Sequence, residues 1–151
     1  HEKYGLTPAF VSINHKSDGE AAAAVASLMD GVERVFIPGP LPSALAIGVM
    51  SRMEIVVSMR LHGLIFAAGQ GVPLVGVSYD PKVTAFLRCV DGGCVTLEDL
   101  TEDGLCRLID AAAALREDPA ALEASVARLR AIEHKNTASA ARLLGKQVND
   151  Q

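Results

Sequence analysis

The chain has 151 residues, 14 Lys and Arg against 18 Asp and Glu for a formal charge of −4, and a hydrophobic content of 50%. That length suits one domain, and so apolar a composition excludes a disordered tail. The acidic balance counts against a general nucleic-acid binder, and 4% aromatic residues with no Trp count against a stacking platform for single strands.

In chain order, Ala9 to Ile13 is a short apolar run after Pro8 and reads as a strand buried on both faces. Asn14 to Gly19 reads as a polar loop. Glu20 to Met29 is rich in alanine, with Val25, Leu28 and Met29 on one side, and predicts a helix stopped by Gly31. Val32 to Ile37 predicts a second strand, broken by Pro38-Gly39-Pro40. Pro42 and Ser43 open a helix to about Met53. Glu54 to Ser58 is a third strand, and His62 or Gly63 starts a short helix through Ala68 that Gly69 and Gly71 end.

Pro73 to Val77 is a fourth strand. Ser78 to Pro81 then reads as a turn, Lys82 to Arg88 as a short helix, and Gly93 to Thr96 as a short fifth strand. Thr101 caps a helix to about Leu115. Asp118-Pro119 places a capping carboxylate before a proline in the first turn of a long helix towards Leu144, with Gly145 as its stop. Strands and helices alternate at short spacing. That pattern predicts the α/β class: a doubly wound, mostly parallel sheet covered on both faces. One domain over 1–145 and a frayed tail over 146–151 are expected. The alanine runs Ala21 to Ala24 and Ala111 to Ala114 imply close packing of helix on sheet.

No apolar run reaches the roughly 18 clean residues of a membrane span; Leu41 to Val57 is broken by Pro, Ser, Arg and Glu. There is no signal-peptide layout, and an opening at His1 rather than Met suggests one domain of a longer protein. Cys89, Cys94 and Cys106 are odd in number, fit no zinc spacing and have no nearby His to complete one. They read as reduced packing cysteines, and no metal site is expected.

In an open parallel sheet, ligands bind beyond the carboxyl ends of the strands. The residues just past those ends are Asn14 and His15; Pro38 to Pro40; Ser58, Arg60 and His62; and Ser78, Tyr79, Asp80 and Lys82. Ser58 to Gly63 is a strand, a turn and a helix start. A helix N-terminus favours anions, a guanidinium suits phosphate or carboxylate, and an imidazole moves protons near neutral pH. The same residues are equally compatible with an Arg60 ion pair across the sheet edge and with His62 capping the helix. Asp80-Pro81 is accounted for by helix initiation. Lys82 is either a second cation for the site or a solvent-facing side chain. Asp18 and Glu20 read as helix-start residues. No GxGxxG or Walker sequence follows a strand, and Gly69-Gln70-Gly71 ends a helix rather than opening one.

One pattern is more specific. Ser58-Met59-Arg60-Leu61-His62-Gly63-Leu64-Ile65-Phe66-Ala67-Ala68, followed by Gly71-Val72-Pro73-Leu74-Val75-Gly76-Val77-Ser78-Tyr79-Asp80-Pro81-Lys82-Val83, resembles the signature of the polysaccharide pyruvyl transferase family, its bacterial cell-wall members in particular. The resemblance implies one Rossmann-like half, the C-terminal one, of a two-domain transferase of the GT-B type. It implies pyruvyl transfer from phosphoenolpyruvate to two hydroxyls of a sugar, forming a cyclic ketal. Phosphoenolpyruvate is then a donor substrate, and no cofactor is expected. The Arg-Leu-His motif falls on Arg60, Leu61 and His62, with His62 as the catalytic acid/base. The motif lysine falls on Lys82, and Ser58, Tyr79, Asp80, Asn14 and His15 join it as substrate-binding positions. Many members carry an arginine where this chain has Asn14. That leaves His15, Lys16 or the other half of the protein to supply the charge.

The implied partners are a saccharide acceptor, which a membrane carrier would hold as a lipid-linked species, and an N-terminal domain of the same protein. The implied location is cytoplasmic, at the inner membrane face. Two alternatives stand beside this reading. One is the donor-binding half of a nucleotide-sugar glycosyltransferase; the other is a non-catalytic assembly or regulatory module.

Overall fold

The computed structural model describes residues 1–13, 15–90 and 92–145. Its elements are β1 (Ala9–Val11), α1 (His15–Ala26), β2 (Val35–Ile37), α2 (Ser43–Met50), β3 (Val56–Ser58), α3 (Leu61–Gly69), β4 (Leu74–Ser78), α4 (Pro81–Cys89), β5 (Gly93–Thr96), α5 (Glu102–Arg116) and α6 (Pro119–Leu143). Every strand pair is parallel, as expected where each strand reaches the next through a helix. The ladder comes in two pieces: β1 pairs with β2, and β3, β4 and β5 pair in that order. In the second piece Ser58 lies opposite Gly76, and Ser78 opposite Thr96. The chain thus has the mixed α/β, Rossmann-like fold that the alternation predicts.

The core gathers around β4, all five residues of which are buried. Helix α3 contributes Leu64, Ala67 and Ala68, an i, i+3, i+4 stripe, and α4 contributes Val83 and Leu87 one turn apart. Leu64, Leu87, Val75 and Val83 are the largest side chains wholly out of water. Each large aliphatic buried in this way stabilises the fold by about 1.5–3 kcal/mol. Leu87 lies directly on the backbone of Gly76, so closely that a Cβ there would come within 2.2 Å of Leu87 Cδ1.

Helix starts are set locally, as expected. Asp80 accepts a hydrogen bond from the Lys82 N–H at 2.9 Å, Thr101 from Gly104 at 3.1 Å and Asp118 from Ala121 at 3.1 Å. Pro81 and Pro119 stand in the first turns they initiate. Gly31, Gly71 and Gly145 carry the positive φ of chain reversals.

Several expectations are corrected. Helix α1 starts at His15, not Glu20, so His15 to Gly19 is helical rather than loop. Asp18 in its first turn suits the helix dipole and also binds the chain just before the helix. Ser78 closes β4 instead of opening a turn, because it keeps its ladder partner Thr96. Burial on both faces holds for β4. By contrast β1 is half-buried, and β2 is an edge strand with Val35 and Phe36 exposed, Phe36 stacking on Phe10 at 5.2 Å between ring centroids. Ala112 is buried, but the alanine run of α1 is largely exposed. The three cysteines are free yet exposed, so they do not pack the core. Asn14 and 146–151 lie outside the described residues.

Between β1 with α1 on one side and β3 on the other lies a crevice of about 740 Å³. Phe10, Val11 and Ala22 line one wall and Val56 and Val57 the other, with Ser58, Arg60 and Tyr79 at one end. Here the chain reverses its direction of travel across the fold, β2 following β1 on one side and β4 and β5 following β3 on the other. In a single continuous sheet this place would be the topological switch point, where open α/β sheets bind ligands; here the two pieces share no ladder.

Candidate functional site

The residues beyond β3 do three separate jobs. Arg60 is the N-cap residue of α3, in extended conformation (φ −90°, ψ 118°), and no side chain caps the helix. Leu61 is half-buried and packs against the core. His62 is exposed on the first turn, its ring 6.3 Å from that of Phe66 in a tilted contact. His62 therefore does not cap α3. The helix N-terminus keeps its N–H groups directed outward.

Ser58 fixes the turn. Its Oγ accepts the Arg60 N–H at 3.0 Å and donates to the Arg60 carbonyl at 3.3 Å. Gly63 makes room for it, since a Cβ at that position would lie 3.1 Å from Ser58 Oγ.

The guanidinium of Arg60 is held firmly. Its Nε and Nη2 donate to Asp18 Oδ1 at 3.0 and 2.7 Å, and Nη2 also donates to Ser17 Oγ at 2.7 Å. The other oxygen, Asp18 Oδ2, accepts the Ile13 N–H at 3.0 Å. The hydrogen bonds that Arg60 donates to Asp18 raise its pKa above the ordinary value, against the opposing effect of burial; a hydrogen bond with Tyr79 acts in the same direction. Of the two readings open in the sequence, the ion pair across the sheet edge is thus present. It does not exhaust the side chain, because a guanidinium carries five N–H donors.

Beyond β4 stands a second cluster. Ser78 is buried, donates to the Asp80 carbonyl at 3.0 Å and shares a 2.8 Å hydrogen bond with Thr84 Oγ1. Lys82 folds back, its ammonium 3.2 Å from Asp80 Oδ2. The Lys82 backbone N–H, then its side chain, lower the pKa of Asp80 below the ordinary carboxylate value. Ser78, Asp80, Thr84 and Arg88 line a cleft of about 550 Å³. Tyr79 and Leu97 line both this cleft and the crevice, so the two adjoin along one ridge.

The structure accordingly joins Ser58, Arg60 and Tyr79 at one end of the crevice and keeps Ser78, Asp80 and Lys82 as a neighbouring group. His15 is the first residue of α1. Sequence reasoning missed Asp18 and Ser17 as site residues. The signal was available: both follow the end of β1 within one helical turn of His15, at the edge where ligands bind. No group of three or more His, Cys, Asp or Glu among the described residues is arranged to hold a metal ion. No helix among them is long and apolar enough to cross a membrane.

Comparison with curated proteins finds no match. A family model described as polysaccharide pyruvyl transferase matches residues 2–81, more than half of the chain. The match takes in β1 through β4, the lining of the crevice between β1 and β3 except Leu97, and Arg60, Leu61 and His62, and it stops one residue short of Lys82. On this match the chain belongs to the polysaccharide pyruvyl transferase family.

Proposed function

We propose that the chain is the donor-binding half of an enzyme that transfers a pyruvyl group from phosphoenolpyruvate to a sugar diol, forming a pyruvate ketal. The observation that carries this reading is Arg60 at one end of the crevice, with an exposed His62 two residues on in the first turn of α3, both inside the family match. A phosphate and a carboxylate on one small donor suit a guanidinium beside free helix N–H groups.

The chemistry divides into two steps. One sugar hydroxyl attacks C2 of the enol as C3 takes up a proton, and the attacking oxygen gives up its own. The second hydroxyl then displaces inorganic phosphate from C2, closing the ketal. His62 is the group we assign to proton transfer, since an exposed imidazole in the first turn of α3, two residues beyond Arg60, is open to substrate. Arg60 holds the anionic donor and stabilises charge on the departing phosphate. Lys82, turned onto Asp80 here, supplies a second cation by exchanging that carboxylate for the donor. Ser58, Tyr79 and Asp80 shape the donor position. Leu61 seats the motif in the core, and Asn14 and His15 are assigned to donor binding on the sequence alone. The acceptor saccharide is held chiefly by an N-terminal domain, at the cytoplasmic face of the membrane when it is lipid-linked.

The test uses the full-length protein with phosphoenolpyruvate and saccharide acceptors, following phosphate release and the mass of the ketal product. His62→Ala and Arg60→Ala are each expected to reduce turnover at least ~100-fold. Near-normal turnover in either purified variant, or thermal stabilisation by a uridine-diphosphate sugar and not by phosphoenolpyruvate, refutes the assignment.

A further inference from the structure

We propose that Asp18 is a positioning residue that orients Arg60 for the anionic donor, an inference that rests on the function proposed above. Asp18 reaches Arg60 from a different part of the fold. It lies in the first turn of α1, following β1, whereas Arg60 follows β3. Its two oxygens have separate duties: Oδ1 takes both Nε and Nη2 of Arg60, and Oδ2 takes the Ile13 N–H. The carboxylate is thereby tied to the end of β1 before it holds the guanidinium. Its side chain is only 17% exposed, against 34% for Arg60. A carboxylate so far removed from water keeps its partner, because an unpaired charge there is costly.

The geometry determines which part of Arg60 meets a ligand. Asp18 and Ser17 between them occupy the Nε–H and the Nη2 group. Tyr79 also faces the guanidinium, so an anion would approach Arg60 at the Nη1 edge that Asp18 and Ser17 leave, beside the Tyr79 hydroxyl. Holding a planar fork by one edge so that the other is presented removes the orientational freedom that a lone arginine would lose on binding. Asparagine cannot replace Asp18 in this arrangement. It has one acceptor oxygen, so its amide NH₂ must face either the Arg60 donors or the Ile13 N–H.

Three full-length variants test this: Asp18→Asn, Asp18→Glu and Arg60→Ala, with Asp18→Asn also placed in the Arg60→Ala background. The direct readout needs no substrate: exchange of the Arg60 Nε–Hε proton in NMR, which is expected to be slow in the wild type and fast in Asp18→Asn. In kinetics, Asp18→Asn is expected to raise the KM for phosphoenolpyruvate roughly tenfold or more with kcat changed much less. In the Arg60→Ala background it is expected to change phosphoenolpyruvate binding, read by thermal shift, no further. If Asp18→Asn does not fold, Asp18→Glu decides, since it keeps the charge and displaces it by one methylene; its KM is expected to rise as well.

Unchanged KM in a folded variant overturns the proposal, as does an effect that multiplies with that of Arg60→Ala. A lower KM would show that Asp18 competes with the donor instead of positioning its partner. Should the wild type fail to turn over phosphoenolpyruvate, the proposed function falls, while Hε exchange still decides whether Asp18 fixes Arg60.

Discussion

Replacing Gly76 by alanine is a severe test of how β4 is packed. A Cβ at this position would sit 2.2 Å from Leu87 Cδ1 and 3.2 Å from both Cδ2 and Cγ. Leu87 has no exposed surface, so its side chain cannot swing into solvent. The added methyl must be accommodated by strain, which in a close-packed core costs about 1–3 kcal/mol. Leu87→Val alone removes one methylene and is expected to cost about 1 kcal/mol. Valine lacks the δ carbon that makes the worst contact. The double variant should therefore recover about 1–2 kcal/mol relative to the sum of the single losses. Urea denaturation followed by circular dichroism measures the three values, provided that the m-value stays constant across the set. In a chain of this size each kcal/mol also moves Tm by about 2–4 °C. Additive losses in the double variant, or a Gly76→Ala change within about 0.5 kcal/mol of zero, would refute the contact as the cause. Because Gly76 is the ladder partner of Ser58, a strained β4 should also weaken donor binding through the Arg60 turn.

Two further outcomes follow from the structure. A carboxyl whose pKa is lowered on folding, as that of Asp80 is by Lys82, stabilises the folded state above its unfolded pKa and loses that contribution as pH falls through its folded value. Asp80→Asn should therefore flatten the acid limb of a Tm-against-pH profile below about pH 4, and identical acid limbs in variant and wild type would contradict this. In native-state hydrogen exchange, β4 amides should be protected to the level of global unfolding and those of β1 and β2 should exchange through smaller openings. Equal protection across all three strands would count against a separately loosened first sheet.

What could be read in the sequence was what is decided within a few residues. Asp80-Pro81, Thr101 and Asp118-Pro119 start helices because a side-chain oxygen meets an N–H two or three residues on, and each was legible. The Arg60-Leu61-His62 triplet was legible in its place, between the end of β3 and the start of α3. Its division into a paired arginine, a core leucine and an exposed histidine was not, because only the packed helix decides which face is covered. The start of α1 was misread because His15 to Gly19 has the composition of a loop. Its helical state goes with hydrogen bonds that Asp18 accepts from the Ile13 N–H and from Arg60, the latter 42 residues away. The exposure of β2 and the separation of the two sheets are likewise long-range outcomes. A run such as Val35-Phe36-Ile37 does not reveal whether a neighbour will cover it.

The uneven packing bears on why the site lies where it does. Among described residues before α2, Ser12 and Ala26 are buried, while most of the core belongs to β3, α3, β4 and α4. The two parts share no strand ladder among the described residues, yet Arg60 of one is bound by Ser17 and Asp18 of the other. A site assembled across such a boundary draws its side chains from both parts, Ser17 and Asp18 from one and Arg60 from the other. It also makes the direction of the guanidinium depend on the placement of the first helix. Asp18 answers that requirement by binding Ile13 and Arg60 with different oxygens of one carboxylate. The end of β1 and the guanidinium are thus tied to one carboxylate, so on the proposed function a shift of the first sheet against the second would reach the donor position through Asp18.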